Sequence, residues 1–238
     1  MIPKIISFVW IGPPMPDWAR DNIRLFQDMN PEFICRVHGE GALLPFLRPA
    51  YKSIEAEADH VWSRRSDVLR ISVLLQYGGW YFDTDFLPIR PLIEVYRDQA
   101  DFPRDTYLVP GDQVGFRHQF AEHESKERQW IANGVIGTAA DSAFLACALR
   151  GILMATETKQ RTWDCFGPRL FTEIVEQFPG IAHLGRMDDW FRLGGREERI
   201  AAYKEFRRMG YAASAIRNAL GDALPYAFHF DMQDEVRL

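Results

Sequence analysis

The amino-acid sequence predicts an α/β fold, a prediction supported by its N-terminal pattern, its length and its apolar content. Residues 5–11 form an apolar run typical of a buried strand, residues 16–29 repeat apolar side chains at helical spacing, and residues 33–37 are typical of a second strand. A strand, a helix and a strand in succession predict parallel pairing through a right-handed crossover. A ligand site then belongs beyond the carboxyl ends of the strands, where Trp10 and Gly12 fall.

Size and composition favour one domain. The chain has 238 residues and 47% hydrophobic content, enough for a substantial core, and no long linker rich in proline, glycine or serine divides it. We therefore expect one domain over residues 1–238, with a charged helical segment at about 194–221 that is either a solvated face or part of an acceptor pocket or partner surface. The formal charge of −5 supplies no basic field, so a nucleic-acid partner is not indicated.

The cysteines and the N-terminus predict a cytoplasmic protein. Three widely spaced cysteines match neither a disulfide framework nor a zinc site, and they are most simply free thiols in a reducing compartment. No apolar stretch reaches the roughly 18 residues of a membrane span, and the first residues lack the features of a signal peptide. We therefore expect no transmembrane segment.

Residues 66–86 contain the densest group of functional candidates. Asp67 and Arg70 lie three apart in an apolar helical segment, which places them on one face. Gly78 and Gly79 then end the helix, because glycine readily takes the left-handed conformation found at helix C-termini. A strand is predicted next, from Tyr81 to Asp85.

Two acids in this predicted strand indicate a metal site. Side chains alternate along a strand, so Asp83 and Asp85 are expected on one face with Thr84 on the other. Ionised carboxylates among aromatic residues are costly unless they are paired or bound to a cation. Oxygen ligands suit Mn²⁺ or Mg²⁺, which fill their remaining positions with water and phosphate oxygens. The implied substrate carries a diphosphate.

Three segments together resemble a known family. Residues 66–70 and 77–85 resemble the signature of glycosyltransferases with a sugar-binding DXD motif, the family of yeast-type initiating mannosyltransferases and capsular polysaccharide transferases, related to the clostridial glucosylating toxins. Residues 2–12 are similar to that family's opening strand, although a histidine more often occupies the place of Ser7. The resemblance implies a GT-A type fold with a mixed central sheet flanked by helices.

The resemblance also implies an activity and residue roles. It implies metal-dependent, configuration-retaining transfer of a hexose from a UDP- or GDP-sugar to the hydroxyl of a glycan, a lipid-linked molecule or another acceptor. The implied catalytic residues are Asp67, Arg70, Asp83 and Asp85. The implied donor-binding residues are Trp10, Ile11, Gly12, Asp67, Arg70, Gly79, Tyr81, Asp83 and Asn133. The implied metal ligands are Asp83, Asp85 and His229.

Some of these assignments keep an alternative. Asn133 is either a sugar or phosphate contact or an amide satisfied within its strand, and His229 is either a metal ligand or a buried core histidine. Gly167 and Pro168 precede a helix and are similar to a family pair near the acceptor side, where Asp164 is a possible acceptor contact or a cap.

Two other functions remain open from the sequence. Residues 82–85 also resemble the nucleophile loop of aspartate-dependent phosphohydrolases, although that comparison leaves Asp67, Arg70 and Trp10 unexplained. A catalytically silent domain that only binds a sugar nucleotide is the third possibility. Stabilisation of the folded protein by added nucleotide is expected of the glycosyltransferase and of the silent binding domain, and it separates both from the phosphohydrolase.

Overall fold

The computed structural model describes residues 1–54, 61–98, 105–111, 129–158, 165–186, 196–211 and 227–229. The chain divides into two compact units. The first, here called the sheet unit, comprises Met1–Pro13, Phe33–Asp83 and Pro103–Gly185. The second, the helical unit, comprises Pro14–Glu32, Thr84–Phe102 and Arg186–Leu238. The organisation of the whole as one domain stays a prediction.

A six-stranded mixed sheet forms the centre of the sheet unit. Its strands, in chain order, are β1 (Ile5–Val9), β2 (Ile34–His38), β3 (Gly79–Phe82), β5 (Thr106–Pro110), β6 (Ile131–Thr138) and β7 (His183–Leu184). They are arranged in the order β2-β1-β3-β6-β5-β7. The pairs that β1 makes with β2 and β3 are parallel, while β6 runs antiparallel to both β3 and β5. The predicted mixed α/β layout is confirmed.

The N-terminal prediction agrees with the observed elements. Strands β1 and β2 are joined through helix α1 (Asp17–Met29), and their parallel register places Val9 opposite His38. The backbone amide of Trp10 then donates to the carbonyl of His38, so the two strand ends stay joined beyond the sheet. Ser7 and His38 are both buried, with 3.2 Å between Ser7 Oγ and His38 Nε2.

Helix α3 (Val61–Tyr77) is followed by two glycines that lead into strand β3. Its residues from Arg64 to Leu74 are almost all buried, as expected for a helix that is apolar on most sides. Gly78 has a φ of +60° and ends the helix as predicted. Gly79 has a φ of +89°, and a Cβ there would lie 2.5 Å from the carbonyl oxygen of Ile5, so strands β1 and β3 approach at a point that only glycine permits.

The predicted strand to Asp85 is wrong. Strand β3 ends at Phe82, and a turn follows before β4 (Phe86–Pro88) begins. The strand rule that places alternate side chains on one face therefore does not apply to Asp83 and Asp85. Aspartate is depleted in strands and favoured in turns, so two aspartates one residue apart account for the difference.

Two further helices of the sheet unit are α5 (Ala143–Glu157) and α6 (Pro168–Gln177), and α2 (Arg48–Ser53) is a short third. Ser142 is the N-cap of α5, because its hydroxyl accepts from the backbone amide of Leu145 at 3.2 Å. Phe144 and Phe171 pack edge to face at 5.0 Å and join the two helices within the apolar core.

The helical unit contains α1, β4, α4 (Ile93–Asp98), α7 (Arg196–Arg208) and β8 (Ala227–His229). Strands β4 and β8 pair antiparallel. On α7, Tyr203 and Phe206 are buried against Leu87 and Ile89. The charged helix predicted within 194–221 is therefore an amphipathic helix with a packed apolar side.

Other predictions fall on parts of the chain that are not described. Asp164 and residues 212–221 of the predicted charged helical segment lie outside the described residues. In the described part of the chain, no helix has both the length and the apolar character needed to cross a membrane.

Candidate active site

Arg70 is the centre of a buried charged cluster at the C-terminal end of β3. Its side chain is 5% exposed, and its Nη2 lies 2.9 Å from Asp67 Oδ1, one helical turn earlier. Its Nη1 lies 3.4 Å from Asp83 Oδ1 and also donates to the backbone carbonyl of Asn133. The guanidinium carbon stands 4.7 Å from the centroid of the Tyr81 ring. One cation thus joins a helix, a strand end and the neighbouring strand β6.

Asp67 is the most perturbed acid of the cluster. Burial raises its pKa from 3.8 to about 7, and the negative charge of Asp83 adds to that rise. Arg70 acts in the opposite direction, as do the hydrogen bond from Asn133 and the charge of Arg64. A carboxyl with a pKa near neutrality that faces a group of polar partners is typical of functional sites.

Asp83 is held from two sides and keeps some exposure. The hydroxyl of Tyr81 donates to Asp83 Oδ1 at 2.6 Å, and Arg70 approaches the same oxygen. The Asp83 side chain is 29% exposed, and both of these contacts with described residues engage its Oδ1. Tyr81 is almost fully buried, and burial raises its pKa well above 10. Its hydroxyl is therefore a permanent donor that orients Asp83.

Asn133 connects strand β6 to the same cluster. Its Nδ2 donates to Asp67 Oδ1 at 2.7 Å, and its backbone carbonyl accepts from Arg70. The backbone amide of Asp83 donates to the next carbonyl along β6, that of Gly134, at 2.9 Å. The Asn133 amide is thus satisfied by a site carboxylate and not by the strand backbone.

The predicted nucleotide-pocket residues lie at the end of β1. Ile11 is buried in the apolar core, and the half-buried Trp10 donates through its Nε1 to the carbonyl of Pro13 at 2.7 Å. Gly12 has a φ of +91°, and a Cβ there would lie 2.9 Å from the Trp62 ring. The Trp62 side chain, 46% exposed, contacts Gly12 from helix α3.

Asp85 and His229 lie in the helical unit. Asp85 is 7% exposed, and the β4–β8 register places His229 opposite Phe86, the residue after Asp85. The His229 side chain lies outside the described part of the structure. Between the two acids of the motif, the carbonyl of Thr84 accepts from the buried Asn22 amide at 3.0 Å, which anchors the turn to α1.

The donor set fits a hard divalent cation, although the described residues form no complete metal site. Within those residues, no three His, Cys, Asp or Glu side chains group closely enough to hold a metal ion. In the sheet unit, Asp83 nevertheless offers a partly exposed carboxylate, and Mn²⁺ or Mg²⁺ needs few protein oxygens because phosphate and water complete its shell.

The structure adds three residues to the surroundings of the site. Sequence reasoning missed two of them, and it placed the third, Gly167, near the acceptor side. Gly167 lies against the Asp67–Asn133 pair, Arg64 lies one turn before Asp67 on α3, and Trp62 covers Gly12. The spacing of three between Arg64 and Asp67 was a usable signal. No local pattern places Gly167 beside Asp67, since 100 positions separate them in the chain.

Comparison of sequences finds a family model and a curated relative that are similar to part of the chain. A model described as "Glycosyltransferase sugar-binding region containing DXD motif" matches residues 22–103. The human protein named Alpha-1,4-N-acetylglucosaminyltransferase is 24% identical over 165 residues, which are 66% of this chain and 40% of that protein. The chain therefore spans less than half the length of this curated relative.

Comparison of structures gives the fold. The chain matches "PaToxG Glycosyltransferase" with a TM-score of 0.56 and 16% identity, over 93% of this chain and 79% of the other. It matches mouse Xyloside xylosyltransferase 1, apo form, with a TM-score of 0.56 and 12% identity, over 95% and 97%. The expected GT-A type fold is confirmed. By sequence, the chain is similar to this sugar-binding region over residues 22–103, and by fold it is similar to glycosyltransferases of known structure over nearly its whole length.

Proposed function

We propose that the protein is a metal-dependent glycosyltransferase that moves a hexose from a nucleoside-diphosphate sugar to an acceptor hydroxyl, with retention of configuration. The observation that carries this proposal is the buried cluster of Asp67, Arg70 and Asp83 at the carboxyl end of β3. A buried ion-pair network costs desolvation energy, so a cluster at a strand end with one partly exposed acid favours a binding role over a purely stabilising one.

Each residue has a role that follows from its surroundings. Asp67, when ionised, accepts hydrogen bonds from hydroxyl groups of the donor sugar, while Asn133 fixes its orientation. Arg70 supplies positive charge beside the leaving phosphate and keeps both carboxylates in place. Trp10, at the end of β1, offers an aromatic face to the base.

The reaction is a displacement at the anomeric carbon. A bond forms from the acceptor oxygen to that carbon, the bond from the carbon to the diphosphate oxygen breaks, and its electron pair leaves with the nucleoside diphosphate. The acceptor oxygen attacks on the face from which the diphosphate leaves, so configuration is retained, and the proton of the acceptor hydroxyl passes to the departing diphosphate. Negative charge therefore grows on the diphosphate, where Arg70 stabilises it.

Asp83, Asp85 and His229 are the proposed ligands of the metal ion. Bound Mn²⁺ or Mg²⁺ supplies Lewis-acid stabilisation of the leaving diphosphate. Tyr81 and Arg70 hold Asp83 in one orientation before any ligand binds, which lowers the entropy lost on binding.

Thermal unfolding tests the donor and metal parts of the proposal. Mn²⁺ with UDP or GDP at about a hundred times the Kd adds about 2.7 kcal/mol, or a Tm rise of roughly 5–11 °C for a chain of this size. Asp85→Asn is expected to abolish the rise. Asp17→Asn, at an exposed acid of α1, is the matched control and is expected to keep it.

Turnover separates the alternatives. Slow Mn²⁺-dependent hydrolysis of a nucleotide sugar is expected of the transferase and excludes a silent binding domain. Phosphate release from an aryl phosphate, without any nucleotide effect on Tm, would instead indicate a phosphohydrolase. A wild-type protein whose Tm responds to neither nucleotide contradicts the transferase proposal.

The acceptor and the location form the rest of the proposal. We propose a glycan, a lipid-linked molecule or another hydroxyl compound as acceptor, and a cytoplasmic location. The second point is supported by the free thiols of Cys35, Cys147 and Cys165, which suit a reducing compartment.

A further inference from the structure

Gly167 lies directly against the residues proposed to bind the donor sugar. A Cβ at this position would lie 2.5 Å from Asn133 Nδ2 and 3.0 Å from Asp67 Oδ2. Real Cβ contacts are almost never this short, so any other residue requires these side chains to move. The φ of Gly167 is −126°, so the requirement for glycine comes from contact and not from a left-handed backbone.

The segment that carries Gly167 is held against helix α3. Arg64 is 4% exposed, donates from Nη2 to Cys165 Sγ at 3.9 Å, and stands 5.9 Å from the centroid of the Phe166 ring. Cys165 and Phe166 are themselves buried. Since Arg64 lies one turn before Asp67, the same helix positions the acid and the segment that packs on it.

We infer that Gly167 is a positioning residue for sugar recognition, because its lack of a side chain keeps the Asp67–Asn133 pair in its binding geometry. The inference rests on the proposed function, in which this pair contacts the donor sugar. Asp67 is also held by its ion pair with Arg70, so an added methyl group displaces the amide of Asn133 and not the carboxylate. Its hydrogen bond to Asp67 is then lost.

The predicted effect is specific for the sugar. Asp67 and Asn133 are assigned to the sugar and not to the base, so a Gly167→Ala change reduces affinity for a nucleotide sugar and leaves affinity for the nucleoside diphosphate alone. A hydrogen bond to a charged group supports a loss of at least tenfold in sugar-nucleotide affinity. A merely structural role would lower both affinities together.

Calorimetric titration of the full chain with Mn²⁺ tests this, with UDP, UDP-glucose, GDP and GDP-mannose as probes. Gly167→Ala is expected to weaken the bound sugar nucleotide at least tenfold and to change the Kd of its nucleoside diphosphate by less than twofold. Gly41→Ala is the matched control, because a Cβ there meets nothing within 4 Å, and it is expected to change neither.

Two results overturn the inference in distinguishable ways. If wild-type protein binds a sugar nucleotide and Gly167→Ala binds it equally well, the role of Gly167 is refuted and the proposed function stands. If wild-type protein binds none of the four probes, both the proposed function and the inference are refuted.

A second pair of variants covers a Gly167→Ala protein that does not fold. Asn133→Ala removes the amide that the new methyl would meet. The double variant Asn133→Ala, Gly167→Ala is therefore expected to fold with a Tm close to that of Asn133→Ala. A double variant that stays unfolded shows that the critical contact lies elsewhere, and it overturns the inference.

Discussion

Replacing Arg70 by methionine tests the energetics of the charged cluster. The change keeps most of the side-chain volume and leaves the buried Asp67 and the partly buried Asp83 without their cation. Removing one member of a buried ion pair costs about 3–5 kcal/mol. At about 2–4 °C per kcal/mol for a chain of this length, the Tm is expected to fall by roughly 6–20 °C.

The loss is expected to depend on pH. Arg70 lowers the pKa of Asp67, so without it that pKa moves further above the unfolded value of 3.8. Between the two values the folded state binds more protons than the unfolded state, so stability falls as pH rises. The penalty of Arg70→Met is therefore larger at pH 8 than at pH 5.

Denaturant unfolding at both pH values measures this penalty. Arg20→Met is the matched control, because Arg20 pairs with Asp17 at the same i,i+3 spacing but with 53% and 76% exposure. An exposed pair of this kind contributes less than about 1 kcal/mol. A loss below about 1 kcal/mol for Arg70→Met at pH 8, or an equal loss at both pH values, would refute the reasoning.

Three further predictions follow from single residues. If Asp67 binds sugar as a carboxylate, kcat/KM for donor hydrolysis rises through a pKa of about 7, and Asp67→Asn lacks that limb. Gly12→Ala is destabilised by about 1–3 kcal/mol in denaturant unfolding, because its φ is +91° and a Cβ would meet an indole ring, whereas Gly41→Ala stays near wild type. Burial lowers the pKa of His38 below 6.5, so the unfolded state binds the extra proton and stability falls as pH drops below about 6.5. His38→Gln removes that dependence, and an unchanged acid limb in this variant contradicts the assignment.

The local part of the site follows from sequence. Helical spacing places Asp67 and Arg70 on one face, and their Oδ1–Nη2 distance of 2.9 Å agrees with that prediction. Gly78 and Gly79 both have positive φ values, a conformation that favours glycine. The residue type alone therefore indicates where the helix ends. The strand expected around Asn133 is observed as β6, which runs from Ile131 to Thr138.

The non-local part does not follow from sequence. The strand prediction failed at Asp83 because aromatic residues before and after the acids continue a strand-like composition through a turn. The turn is fixed by a contact with Asn22, 62 positions away, which no local pattern contains. Contact between Gly167 and the Asp67–Asn133 pair similarly depends on how α6 packs.

The register of the antiparallel pair β3–β6 determines whether the charged cluster forms when the chain folds. Phe82 lies opposite Val135, and successive carbonyls of β6, from Asn133 and Gly134, accept from Arg70 and from the amide of Asp83. A slip of one position would reverse every side chain of the strand and break both bonds. In the proposed function, donor affinity therefore depends on correct strand alignment: a misaligned chain would not bind the sugar nucleotide, and the ligand would stabilise only chains whose sheet is correctly paired.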